Sequence, residues 1–265
     1  MRAGYAGRGI VYLVIAGFSL WAIWRGGEAQ GTGSALEALE SSGWGVVVLV
    51  LIAIGMLAYA IWRAIDAWFD LEEYGTDGKG LIARSGMVVT GLVHLGIGIA
   101  ALSVLFASGG SGSEDGSTIA RWTSAVMEWP AGRWIVGLGG VATIGAGIYY
   151  LHKAWKKTYH EKLYGNDVTR RFDPVLRAGV AAQGIIVLIV GGFFLTAALR
   201  YDPNAAGGMG EVFDWLASQP FGNVIVVAIC LGLLGFALFL FVNAGYRIIP
   251  KIADDKSVTL QSVLD

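Results

Sequence analysis

The stretch RAGYAGRGIV at residues 2–11 decides how the chain is organised, because its pattern returns as RSGMVVTGLV at 84–93 and as RAGVAAQGII at 177–186. Each copy begins with Arg, a small residue and Gly. A second Gly follows five residues after the first, and two apolar residues come directly after it. Such self-similarity is the sequence signature of a repeat architecture. The sequence therefore predicts three copies of one structural unit.

A second shared pattern follows each of these stretches. Gly55, Gly145 and Gly235 are each followed four residues later by an aromatic residue and nine residues later by an alanine. The aromatic residues are Tyr59, Tyr149 and Phe239, and the alanines are Ala64, Ala154 and Ala244. Each unit is therefore predicted to contain a first apolar helix, a glycine-rich loop, a short helix and a second apolar helix.

Six stretches of the chain are long and apolar enough to cross a bilayer, which takes about 20 residues in a helix. They are residues 6–24, 44–64, 86–107, 134–152, 178–199 and 222–248. A helix in a soluble core would need polar residues every third or fourth position, and these stretches lack them. We predict an all-α polytopic membrane protein whose six transmembrane helices form three tandem parallel hairpins in a pseudo-threefold bundle.

The pattern also predicts where the units begin and end. The expected boundaries are 1–77 for the first repeat, 78–167 for the second, 168–249 for the third and 250–265 for a cytoplasmic tail. The first two repeats end alike, in Tyr74-Gly75 and Tyr164-Gly165. A helix that runs past the membrane and stops at a glycine in its C′ position would produce this ending.

The composition excludes several classes of protein. The chain has 265 residues, of which 55% are hydrophobic and 15% charged, with a net charge of -1 and a single cysteine. A disordered chain would be more polar, a nucleic-acid-binding protein would carry a basic face, and a disulfide scaffold would need more cysteines. We therefore expect the lipid bilayer as the main partner and no nucleic acid.

Basic residues are distributed unequally between the two sides of the predicted membrane. The N-terminus, the connections at 63–84 and 153–177 and the C-terminal tail hold 15 of the 19 Lys and Arg residues, and the opposite side holds 4. Cytoplasmic connections carry an excess of Lys and Arg. Both termini are therefore predicted to be cytoplasmic.

The repeated motifs resemble those of the bacterial membrane family called domain of unknown function 1206, over the chain up to about residue 249. The shared features are the Arg-[Ala/Ser]-Gly start, the Gly seven residues after that Arg, and a Gly-x-x-x-Tyr second helix. The resemblance implies a multi-pass protein of the bacterial inner membrane, and it supplies no catalytic residue. The third repeat departs most, because Gln183, Val187 and Asn243 replace Arg8, Tyr12 and Arg63.

Small residues recur on one face of each predicted helix. Counted from the initial Arg, positions 7 and 14 of the first helices carry glycine or alanine, and a glycine recurs in each second helix. In membranes, small residues allow helix backbones to approach closely. We predict a helix-packing seam formed by Gly9, Gly91, Gly98, Gly184, Gly191, Gly55, Gly145 and Gly235.

Polar residues recur on an adjoining face. Positions 6 and 10 of the first helices include Arg8, Tyr12, Thr90, His94 and Gln183, and the second helices add Arg63, Lys153 and Asn243. Polar groups are costly in lipid, so they should face the bundle interior and form a polar, mildly basic vestibule. The more usual explanation for the three basic residues is that they extend to the headgroups. His94 and Gln183 lie deeper in their helices.

No arrangement of residues in the sequence predicts a catalytic, metal or cofactor site. The spans carry no carboxylate in their centres, which disfavours ion-coupled transport. His94 and His152 lie at different depths, so they fit neither a haem nor a zinc site. Cys230 lies mid-span without a nearby base. We therefore expect neither a cofactor nor an enzyme.

Two cytoplasmic segments carry opposite charge. Residues 152–171 are basic and would suit an anionic lipid surface, whereas residues 66–73 are acidic. These two segments could pair with each other or with another subunit.

Three functions are compatible with the sequence. The first is a structural or accessory membrane protein that binds lipid, a membrane-protein partner or a second copy of the chain. The second is a channel or facilitator along the threefold axis, and the third is a lipid- or quinone-modifying enzyme. A water-filled axis would favour the channel, whereas an axis plugged by Tyr12, Tyr59, Tyr149 and Phe239 would favour the accessory protein.

Overall fold

The computed structural model describes residues 1–40, 43, 45–106, 115–249 and 259–264, without the side chains at 115–118. Six long helices are long and apolar enough to cross a membrane: α1 (Arg2–Trp24), α3 (Gly45–Phe69), α4 (Gly78–Phe106), α6 (Gly132–Lys156), α7 (Asp167–Arg200) and α9 (Gly222–Tyr246). Four shorter helices are α2 (Thr32–Glu40), α5 (Asp115–Met127), α8 (Met209–Ala217) and α10 (Leu260–Leu264). The chain is thus an all-α, multi-pass membrane protein.

The long helices agree with the six predicted spans and extend beyond most of them. The helix α7 begins at Asp167 rather than at residue 178, because a polar cap starts it outside the apolar stretch. The Asn166 side chain accepts a hydrogen bond from the Thr169 backbone N–H, at 2.9 Å, and the Thr169 hydroxyl accepts one from the Asn166 backbone N–H. The predictions for residues 44, 107, the 108–114 loop and the tail at 250–258 and 265 lie outside the described residues.

Two helices end earlier than their glycines predict. The helix α3 ends at Phe69 and is followed by Asp70 in the left-handed region at φ 50°, and α6 ends at Lys156, before Lys157 at φ 55°. The Asp70 carboxylate then accepts hydrogen bonds from two backbone N–H groups further along, up to Gly75. The prediction of a glycine-terminated helix is therefore wrong. A carboxylate-capped turn follows α3 instead.

The six spans form a ring in which the three repeats are related cyclically. The second helix of each repeat packs against the first helix of the next, so that α3 packs on α4, α6 on α7 and α9 on α1. A glycine at the same position of each repeat lies at each of these three crossings. Gly91 lies against Arg63 of α3, Gly184 against Leu151 of α6, and Gly9 against Phe241 of α9.

The second repeat breaks this symmetry. In the first and third repeats the two helices of a hairpin pack together, α1 on α3 and α7 on α9. Gly55 approaches Gly7, and Gly235 approaches Gly179. Among the described residues, α4 and α6 form no such packed interface, and a Cβ placed on Gly145 or Gly86 would have no neighbour within 4 Å.

One sequence difference accompanies this opening. Val89 occupies the repeat position that is Gly7 in the first copy and Ala182 in the third. The second repeat therefore lacks the small residue that allows helix backbones to approach closely at this position. We call the space between the faces of α4 and α6 that carry Gly86 and Gly145 the α4–α6 gap. The α4 and α6 helices are accordingly the two least buried spans.

The gap separates the predicted seam glycines into two groups. Gly145 was expected in the seam, and this expectation is wrong because its own hairpin is open. A Cβ added at any of the other seven would lie within 3.1 Å of an atom on a neighbouring helix. The same repeat position is therefore packed in two copies and open in one.

Alanine substitutions at this repeat position should affect the stability of the protein differently in the three repeats. A Cβ at Gly55 would lie 2.5 Å from the Gly7 Cα, and one at Gly235 would lie 2.8 Å from the Val175 carbonyl oxygen. Overpacking costs about 1–3 kcal/mol, so Gly55→Ala and Gly235→Ala should lower the melting temperature in detergent by several degrees. Gly145→Ala should leave it unchanged or raise it, because alanine favours helix. Equal losses in all three variants would contradict the open hairpin.

Candidate functional site

Arg8 lies in the interior of the helix ring. It is only 5% exposed, although it belongs to the membrane helix α1. Its Nη1 donates a hydrogen bond to the Tyr59 hydroxyl at 2.7 Å, and its guanidinium carbon lies 4.7 Å from the centre of the Tyr59 ring. Its Nε has no hydrogen-bond partner among the described residues. A buried guanidinium is thus held by an aromatic hydroxyl and keeps one donor unused.

Side chains from four helices lie around the Arg8 guanidinium and its partner Tyr59. The His94 ring on α4 lies 4.8 Å from that of Tyr59 on α3, and Tyr150 on α6 and Tyr12 on α1 lie within electrostatic range of Arg8. The His94 Nδ1 lies 2.7 Å from the Thr90 carbonyl oxygen. Since a carbonyl only accepts, Nδ1 carries the proton. We call Arg8, Tyr12, Tyr59, His94 and Tyr150 the arginine cluster.

One end of the bundle holds both Met1 and Tyr246, and we call it the terminal face. A second set of polar groups lies closer to this end. Arg63 donates to the Tyr59 hydroxyl at 2.9 Å and to the Asp66 carboxylate at 2.8 Å. The Lys153 Nζ lies 5.2 Å from the centre of the Phe239 ring. No carboxylate of the described chain lies within ion-pair distance of Arg8 or Lys153.

Glu72 joins the ends of all three repeats at the terminal face. Its Oε1 accepts hydrogen bonds from Nε and Nη2 of Arg247, at 3.0 and 2.5 Å, and its Oε2 pairs with Lys162. Burial alone would raise the pKa of Glu72, but the two cations outweigh it and lower the pKa to about 2. We call Glu72, Lys162 and Arg247 the ionic triad.

The two oppositely charged segments of the terminal face therefore contact each other. Besides the Lys162–Glu72 pair, Lys157 lies 3.3 Å from the Asp173 carboxylate, which also accepts from Tyr159 and pairs with His160. Part of the basic charge of residues 152–171 is thus used within the chain.

Cations outnumber carboxylates in the cluster, the triad and the groups between them. The five cations are Arg8, Arg63, Lys153, Lys162 and Arg247, and the two carboxylates are Asp66 and Glu72. Asp66 pairs with Arg63, and Glu72 is shared by Lys162 and Arg247, so three positive charges are in excess: one within the triad and those of Arg8 and Lys153, which have no carboxylate partner. The described residues contain no group of three His, Cys, Asp or Glu side chains that could hold a metal ion.

Aromatic rings fill the interior beside the arginine cluster. Tyr12 contacts Phe236 edge to face at 4.9 Å, and Phe236 stacks on Phe239 at 5.8 Å. Of the four rings whose convergence would favour an accessory protein, Tyr149 lies outside the interior, because it is 55% exposed. Its neighbour Tyr150 takes the interior position and contacts Phe236.

The predicted polar residues have different surroundings. Arg8 and Arg63 point inward, and both donate hydrogen bonds to the Tyr59 hydroxyl. Asn243 is buried, donates to the Phe239 carbonyl and accepts from Arg247. The Gln183 side chain is buried, and its Oε1 has no partner among the described residues. Thr90 is half-exposed, and its hydroxyl donates to the Gly86 carbonyl of its own helix, so it adds no donor to the cluster.

The ionic triad was not predicted from the sequence, although the repeat alignment contains a signal for it. Glu72 and Lys162 occupy the same repeat position, seventeen residues after Gly55 and Gly145. Opposite charges at equivalent positions around a ring are able to meet near its axis. Tyr150 was also missed, because it lies one residue from the repeated aromatic position.

The family model described as Domain of Unknown Function (DUF1206) matches residues 3–70, 85–157 and 178–247. These three segments correspond to the three structural repeats. The chain is also similar to uncharacterized protein YxxB of Bacillus subtilis (strain 168), with 26% identity over 93% of this chain and 90% of that protein. No solved structure matches the chain.

Neutralising Glu72 should destabilise the protein in a pH-dependent way. Glu72→Gln leaves two buried cations without a carboxylate, a change that costs about 3 kcal/mol. The pKa of Glu72 lies near 2 in the folded protein and at 4.5 ordinarily. The contribution of Glu72 is therefore complete above pH 4.5 and is lost as the pH falls through 2.

Thermal melts of the detergent-solubilised variants measure this effect. The difference in melting temperature between wild type and Glu72→Gln should be several degrees at pH 7 and should shrink between pH 4.5 and pH 2. Glu73→Gln is the matched control, because Glu73 is the exposed neighbour. A difference that is independent of pH would exclude the charge of Glu72 as its cause.

Proposed function

The chain belongs to the DUF1206 family, and we propose that this member is a non-enzymatic accessory protein of the bacterial inner membrane. In this role it holds a lipid or a membrane-protein partner and conducts no solute. The observation that carries the proposal is the buried, unneutralised Arg8 beside a packed aromatic interior. A charge in that position is costly in the membrane unless a bound group compensates it.

The aromatic packing supports a binding function over a conducting one. A conducting path needs a continuous polar or water-filled passage. The buried ring of Phe236 contacts both Tyr12 and Phe239, and such packing in the interior would oppose a passage. Arg8 bound to Tyr59 would also resist the passage of cations.

The distribution of basic residues supports the orientation. Most Lys and Arg residues lie at or near the terminal face, and this bias favours a cytoplasmic terminal face. Both termini would then be cytoplasmic, and α2, α5 and α8 would lie on the outer surface. The basic residues that remain exposed at 152–171 would contact anionic headgroups.

A flux measurement tests the proposal against the channel alternative. Liposomes that contain the wild-type protein should release potassium ions, chloride ions and a small neutral solute no faster than empty liposomes. His94→Ala, which removes an interior side chain, should not change this result. Protein-dependent flux that His94→Ala alters would contradict the accessory function.

Extraction in a gentle detergent tests binding itself. Native mass measurement should find the wild-type protein with bound lipid or with a second polypeptide. A bare monomer, free of both under conditions that preserve the fold, would contradict the proposed function.

A further inference from the structure

We propose that the α4–α6 gap binds an anionic phospholipid of the leaflet at the terminal face, with its acyl chains in the gap and its phosphate at Arg8. This inference rests on the proposed function and names its ligand. The open hairpin, the unused donor of Arg8 and the surplus of positive charge support this assignment.

The gap has the space and the surface for an acyl chain. A Cβ on Gly86 or Gly145 would meet nothing within 4 Å, although the equivalent glycines of the other repeats touch a neighbouring helix. Apolar side chains next to these glycines, including Val89, Val93 and Ile148, are more than half exposed. An opening of this kind faces the side of the bundle and is reached from within the bilayer.

Arg8 lies near both helices that border the gap. Its guanidinium lies 4.7 Å from the centre of the Tyr59 ring, which is 4.8 Å from the His94 ring of α4, and Tyr150 of α6 lies within electrostatic range of Arg8. The side chain is 5% exposed, and its Nε has no acceptor among the described residues. Buried donors are nearly always satisfied, and a guanidinium pairs well with the oxygens of a phosphate.

The depth of the two unneutralised cations suits a headgroup. Arg8 lies six residues inside the start of α1, and Lys153 lies three residues before the end of α6. At 1.5 Å per residue, both lie within about 9 Å of the terminal end of their helix. Both cations are thus close to the level of phospholipid phosphates.

Charge also distinguishes a lipid from a second copy of the chain. The spans of a second copy would bring no negative charge to the gap from their centres, because these carry no carboxylate. A zwitterionic lipid would supply its own cation, whereas an anionic lipid supplies the missing negative charge. Lateral access favours a lipid over a soluble phosphate.

Lipid retention tests the assignment. The purified full-length protein is incubated in detergent with phosphatidylglycerol, with phosphatidylcholine or with inorganic phosphate, and bound molecules are counted by native mass spectrometry. Wild type should retain phosphatidylglycerol at least tenfold more than phosphatidylcholine. Arg8→Gln should remove this preference, whereas Arg2→Gln, an exposed position on the same helix, should preserve it.

A second variant fills the gap without changing any charge. Gly145→Leu places its side chain in open space, so the protein should fold and melt like wild type while losing phosphatidylglycerol at least tenfold. This variant keeps the test valid even if Arg8→Gln fails to fold. Arg2→Gln and wild type provide the reference melts.

The results of these experiments distinguish a failure of the lipid assignment from a failure of the proposed accessory function. Retention of phosphatidylglycerol by Gly145→Leu at the wild-type level would overturn the inference. Retention of phosphatidylcholine or of a protein partner in its place, or stabilisation by inorganic phosphate alone, would also overturn it and leave the accessory function standing. A wild-type protein that retains neither lipid nor partner would contradict both.

Discussion

Helices inside a bilayer gain little by covering one another's apolar side chains, because the lipid tails are equally apolar. Close backbone contact therefore has to hold the ring together, and small residues at the crossings make it possible. Gly91 and Gly184 provide this contact on α3 and α6, whereas Gly9 makes room for the Phe241 ring of α9. A glycine thus lies at all three interfaces between repeats, and the polar residues on the adjoining helix face are brought towards one interior.

The interior polar groups follow two different electrostatic arrangements. At the terminal face, Glu72 pairs with both Lys162 and Arg247, and this triad connects the ends of the three repeats. Deeper in the bundle, the hydroxyl of Tyr59 binds Arg8 and Arg63. A hydroxyl satisfies donors but brings no negative charge, so the deeper site remains cationic. The first arrangement explains cohesion, and the second explains why the site attracts an anion.

Much of the fold could be predicted from the sequence, because span length and glycine spacing reflect the thickness of the bilayer and the approach of helices. The details that failed depend on single residues. Tyr149 and Tyr150 differ by about 100° around a helix, so an alignment accurate to one residue cannot say which of them faces inward. The end of α3 depends on the carboxylate of Asp70, and not on Gly75. The ionic triad required the spatial order of the repeats, which pairs Glu72 with a lysine ninety residues away.

The two departures from threefold symmetry occur at the same place. One concerns packing: the second repeat carries Val89 where the others have glycine or alanine, and its hairpin is open. The other is electrostatic: of Arg8, Thr90 and Gln183, which share one repeat position, only Arg8 is charged. The open hairpin contributes His94, which contacts the tyrosine partner of Arg8, and Tyr150, which lies within electrostatic range of it. An opening unrelated to the charge would be equally compatible with any of the three hairpins. The coincidence of the open hairpin with the charged copy is therefore the reason to connect the opening with a ligand of Arg8.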